Sequence, residues 1–161
     1  MNRLLKIALA ASASVFCLFY AVQNLFNLDP AFGFVQLMVG MEGHEAYPNH
    51  FGPAIRSPII IWLMLIIIIF LEFAAGALAG KGAIDLWKAK NGSSEDFNNA
   101  KRYALAGTAL AVFIWFGIFS AIGGAYFQMW QTELGAGPLS NSAWFSIQHG
   151  ILWLILRQAD D

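Results

Sequence analysis

Ile59 to Gly80 reads IIIWLMLIIIIFLEFAAGALAG, an apolar run interrupted by one charged side chain, Glu72. A helix rises ~1.5 Å per residue, so about 20 such residues cross a hydrocarbon layer ~30 Å thick. The stretch therefore predicts a membrane helix, and its acid needs a reason to be there. A carboxyl group among acyl chains costs a few kcal/mol even on insertion scales, so Glu72 is expected to face other helices rather than lipid. Gly76 and Gly80 follow it at helical spacing on the same face, and such small residues let a neighbouring helix come close.

The rest of the chain agrees with a membrane reading. Of its 161 residues 58% are hydrophobic and only 12% charged, with 14 Phe and 6 Trp, too apolar for a soluble domain with a charged surface. A net charge of -1 leaves no basic footprint for nucleic acid. The single cysteine, Cys17, permits no internal disulfide and lies inside an apolar run, where packing is its expected role.

Three further apolar segments flank the first, and together they predict a single all-α domain over residues 1–161. The predicted architecture is a bundle of four transmembrane helices, at about residues 4–25, 58–79, 102–130 and 142–157. Residues 26–57 form an outer loop and residues 80–101 a connector. The fourth segment, AWFSIQHGILWLILR from Ala143 to Arg157, is short for a span and relies on Arg157 reaching the interface. At the N-terminus Arg3 and Lys6 precede an apolar stretch containing Ala11-Ser12-Ala13, but apolar residues continue to Val22, so an uncleaved anchor is expected rather than a signal peptide.

Basic residues set the expected orientation. Arg3 and Lys6, then Lys81, Lys88, Lys90, Lys101 and Arg102, then Arg157 all fall on one side of a four-span chain, leaving Arg56 alone on the other. The positive-inside rule then puts both termini and the connector in the cytoplasm. Gly80 and Gly82 are expected to end the second helix, and Asn91-Gly92-Ser93-Ser94 to turn the chain before the third. In the outer loop AFGFVQLMVGM is too apolar for free solution and predicts a short helix at the outer interface. Beyond it Met38, Met41, Glu42, His44, Glu45 and His50 bring metal-ligand types together, but their spacing matches no strong pattern, and neither metal nor cofactor is expected. Gly135, Gly137 and Pro138 predict a tight second outer turn.

Counting depth from the cytoplasmic ends gives Glu72 candidate partners. His149, Ser12, Ser14 and Thr108 lie at similar levels, so an intramembrane polar cluster is expected with His149 as the leading partner of Glu72. Gly117, Ala121 and Gly124 predict a second close helix contact towards the outer leaflet. Tyr126, Phe127, Trp130 and Trp144 fit the interfacial aromatic belt. Gln23, Asn24, Gln36, Gln128 and Gln131 gather at the outer ends, where they are expected to tie the loop to the bundle.

The stretch FNNAKRYALAGTALAVFIWFGIFSAIGGAYFQMWQT, Phe97 to Thr132, has an AK pair at its entry and a GG-x-x-F-x-MWQ ending. With VQNLFNLDPAFGFVQLMVGM and the acid in the second helix, it resembles a bacterial family of predicted small integral membrane proteins of unknown function. Ala125 stands where an acid often follows the glycine pair in that family, and Leu37 where a histidine often follows FVQ. The resemblance implies a four-helix protein of the bacterial inner membrane and names no reaction.

No nucleophile triad, phosphate loop or chain of intramembrane acids is visible, so a non-enzymatic protein is expected. The leading functional reading is an accessory or assembly component that meets lipids and other membrane subunits, or its own copies, through small-residue and aromatic faces. A proton-coupled transporter or channel-like module built on Glu72 is one alternative. A membrane enzyme or binding protein for a lipid or quinone is another.

Overall fold

The computed structural model describes residues 2–160, and within them the chain is helical with no strand. Helix α1 spans Arg3–Phe26, α2 Leu28–Gly40, α3 Pro58–Ala89, α4 Ser94–Asn99, α5 Arg102–Val112 and α6 Glu133–Arg157. α5 runs directly into a π-helical stretch, Phe113–Tyr126, and a single 3₁₀ turn, Met129–Gln131, precedes α6. Three helical runs are long and apolar enough to cross a membrane, namely Arg3–Phe26, Pro58–Ala89 and Ser94–Tyr126.

α3 is the spine, with α1 packed antiparallel on one side and α5 antiparallel on the other. Glycines set both distances. A Cβ on Gly76 would come within 2.6 Å of the Leu18 side chain, and one on Gly80 within 2.7 Å of Ser14 Oγ, so the predicted small-residue face of α3 is the seat of α1. Ser14 Oγ donates to the Gly76 carbonyl oxygen at 2.8 Å, a hydrogen bond between helices that only this closeness allows. Facing α5, Gly82 lies against the Ala104 backbone, and a Cβ on Gly107 would meet the Ala75 carbonyl oxygen at 2.7 Å. Of the predicted stripe on the third helix, Gly124 packs against Leu139 of α6, whereas Gly117 meets only its own Phe113 and Ala121 is exposed.

Several predicted boundaries move. α3 continues ten residues past Ala79, because Gly80 and Gly82 are contact residues and not stops, and Lys81 pairs with Asp85 one turn on at 2.6 Å. α4 begins inside the connector on a capping box in which Ser93 and Asp96 satisfy each other's backbone N–H groups. α6 begins at Glu133, so Gly135, Gly137 and Pro138 lie within its first turns rather than in a tight turn. Thr132 starts it by accepting the Gly135 N–H on its hydroxyl. α6 is thereby 25 residues long, longer than the apolar segment that announced it.

The wide turns after Val112 have local support. Ser120 Oγ donates to the Trp115 carbonyl oxygen five residues back at 3.2 Å, and the Phe127 N–H donates to Ile122, again five back, at 2.9 Å. Gln128 then reverses the chain in the left-handed region, at φ 52°, held by the Gln131 side-chain amide at 2.6 Å.

Two ends of the molecule differ in chemistry. At the end where α1 begins and α6 finishes, here called the tail end, Ile7, Ala10, Ala83, Leu86, Phe97, Ala104 and Leu156 form one apolar cluster. Beside it lies a buried ion cluster, in which Lys6 and Lys101 both reach Asp160 Oδ2, at 2.5 and 2.7 Å, and the Gln158 carbonyl oxygen. The opposite end carries α2 and the strap, residues 41–57, which returns onto α2 where the Ile55 N–H donates to Val39.

Candidate functional site

Glu72 is buried in α3, with 1% of its surface exposed, and its one hydrogen-bond partner is on α1: Asn24 Nδ2 donates to Glu72 Oε2 at 2.9 Å. Among the described residues no cation forms an ion pair with it. The carboxyl group opens onto a cavity of about 420 Å³ to which α1, α2, α3, the π-helical stretch and α6 all contribute. Leu65 and Ile68 of α3, Phe34 and Val35 of α2, and Trp115 and Phe145 give it apolar walls. Gln23, Asn24, Asn27 and Asn141 add amides around the acid. Sites for small molecules commonly have this composition, mostly apolar with a few polar groups that fix orientation, and volumes of ~300–1,000 Å³.

The walls are firm on one side. Phe16, Tyr20, Trp115 and Phe145 pack edge to face at centroid distances of 4.9 to 6.2 Å, joining α1, the π-helical stretch and α6. Phe32 of α2 stacks on Trp62 of α3 at 4.7 Å and fixes the cover over the cavity. Trp115 is 3% exposed and its indole N–H has no partner among the described residues.

The expected pairing of Glu72 with His149 is absent. His149 bonds through Nδ1 to the Phe145 carbonyl oxygen at 2.8 Å, one turn back in its own helix, and its Nε2 faces Cys17 Sγ at 3.9 Å. His149 sits level with Cys17 on α1, whereas the Gly80–Ser14 and Gly76–Leu18 contacts put Glu72 more than one turn further towards the α2 end, so the two differ in depth. Ser14 is committed to the contact between α1 and α3, and Thr108 turns back onto the Ala104 and Leu105 carbonyls of its own helix. Ser12 is exposed and bonds to Ala8. The polar group that completes the site is Asn24, expected only as an outer-end residue.

The packing of α1 on α3 leads to it. Gly80 lies against Ser14 and Gly76 against Leu18 in antiparallel helices, so one further step from Gly76 to Glu72 leads past Val22 to Asn24. The other outer polar residues divide. Gln131 accepts the Tyr47 N–H at 2.8 Å and ties the strap to the 3₁₀ turn, with Trp130 edge-on to Tyr47 at 5.3 Å. Gln128 supports that turn, Gln23 lines the cavity, and Gln36 is exposed on α2.

No curated protein and no solved structure matches the chain. A family model does, over residues 2–159, and its description is "predicted small integral membrane protein". The chain therefore belongs to this family of small integral membrane proteins, DUF2165.

Proposed function

We propose that this is a non-enzymatic, four-pass membrane protein that binds a small amphiphilic molecule in the Glu72 cavity. The observation that carries this is a buried carboxyl group, held by one neutral amide, facing a cavity of about 420 Å³ between apolar walls. Asn24 donates to Oε2 and leaves Oε1 open to accept, so the complementary guest has a donor or cationic head and an apolar body. Burying it there costs stability that a purely structural hydrogen bond repays poorly, and ligand sites are where such costs persist.

The fourth pass is supported by α6 running alongside α1, from Lys6 against Gln158 to Tyr20 against Phe145. The basic residues support a cytoplasmic tail end, and the family resemblance supports the bacterial inner membrane. On that orientation the cavity lies in the outer half of the bilayer and α2 covers it at the outer interface. A transporter would need a second route past Glu72. The apolar cluster and the Lys6–Asp160–Lys101 ion cluster occupy the tail end instead. Exposed apolar side chains such as Phe19, Ile66, Phe70 and Phe116 are what any lipid-facing helix carries, so they select no partner subunit.

Native mass spectrometry of protein released from mild detergent tests the reading. The wild type is expected to retain a small molecule that Glu72→Gln loses, while both accumulate equally in membranes. Equal retention by the two proteins, or an empty wild type, overturns the proposal.

A further inference from the structure

Away from the cavity, the strap brings together two histidines that sequence spacing left unconnected. The rings of His44 and His50 lie 5.6 Å apart, centroid to centroid, at 68°. His44 is 8% exposed, and both of its nitrogens, with Nδ1 of His50, are buried without a hydrogen-bond partner among the described residues. A buried polar atom left unpaired is costly, and three in one place call for an explanation. The strap is otherwise well held, by Gln131 to Tyr47, by Phe51 against Tyr126 at 5.0 Å and by Ile55 to Val39. The pair is therefore fixed in position and not a feature of a free loop.

We propose that His44 and His50 form a two-imidazole site for a transition-metal cation of the zinc class. Two imidazoles sharing one tetrahedral ion, with Zn–N bonds of ~2.0–2.1 Å, have ring centres about 5 to 6 Å apart, which matches the observed spacing. Neutral imidazole is the ligating form. Among the described residues no third His, Cys, Asp or Glu stands close enough to complete a cluster. Water fills the remaining coordination positions, and Glu42 and Glu45, exposed on the same strap, are available in the surrounding shell. Such a site holds an exchangeable ion rather than a structural one.

The test uses the full chain, purified in detergent through a tag free of histidine and titrated with zinc chloride alone. About one equivalent is expected to bind, and His44→Gln and His50→Gln are each expected to weaken binding about tenfold or more. X-ray absorption of the zinc-loaded wild type provides a readout that needs no variant. Two imidazoles at the zinc are expected, and the third histidine of the chain, His149, is occupied with Phe145 and Cys17. No binding, binding unchanged in both variants, or fewer than two imidazoles in the absorption spectrum overturns the site.

Discussion

Asn24 and Glu72 meet because the two helices that carry them are locked one turn away, where Ser14 bonds to the Gly76 carbonyl. The acid and its small-residue face were legible in Glu72, Gly76 and Gly80, since both follow from helical spacing. Its partner was not, because counting depth back from the apolar ends put His149 level with Glu72, whereas it packs level with Cys17, more than one turn away. Replacing Asn24 with Leu removes the one donor to a buried carboxyl among the described residues. A loss of about 1–3 kcal/mol is expected, read as a lower denaturation midpoint in a detergent titration. Glu72→Gln is expected to be milder, because an amide can still accept from Asn24. A variant ranking in which Glu72→Gln unfolds more readily than Asn24→Leu contradicts this account of the pair.

Helix boundaries were read well wherever lipid-like composition set them and poorly where packing did. α1 ends within a residue of expectation, whereas α3 and α6 each run about ten residues further than their apolar runs. Local composition cannot distinguish a glycine that stops a helix from one that lets a neighbour approach, and Gly80 and Gly82 are of the second kind. The π-helical stretch was likewise invisible, since its sequence has the hydropathy of any membrane helix. Two glycines give opposite predictions. Gly107→Leu drives a side chain into the α3 backbone at Ala75 and Ala79, and a loss of about 3 kcal/mol or more is expected. Gly150→Ala in α6 meets nothing within 4 Å and is expected to gain about 0.5–1 kcal/mol. Thermal unfolding of the two variants beside the wild type checks both signs.

Across the whole molecule, Asp160 joins the chain's last described residues to its first helix. Lys6, at 0% exposure, and Lys101 share this one carboxylate, and Asn98 bonds to the Asp160 backbone N–H and carbonyl oxygen. No local pattern announces a contact between residues so far apart in sequence, and Lys6 was read only as a basic residue that sets orientation. Burial by itself would raise the Asp160 carboxyl, but the hydrogen bonds and charges of Lys101 and Lys6 outweigh it and hold the group below the usual carboxylate range. Its pKa is thus lower folded than unfolded. The stabilisation is fully present above the unfolded value, near pH 4, and is lost as pH falls through the folded one. Asp160→Asn is expected to cost on the order of 3 kcal/mol at neutral pH. Its stability should also decline less steeply than that of the wild type between pH 5 and pH 3. Parallel acid dependence in the two proteins would assign the acid sensitivity to other carboxylates.

The interlocking of α3 with α1 and α5 has a mechanical outcome. Three rods meshed at Gly76, Gly80, Gly82 and Gly107 cannot slide or part without breaking close contacts, backbone to backbone at Gly82 and Gly107. α2 rests on the same spine through larger side chains, the Phe32–Trp62 stack among them. The chamber therefore has a floor of meshed helices and a cover seated on side chains, so its width towards α2 is set by the size of those side chains.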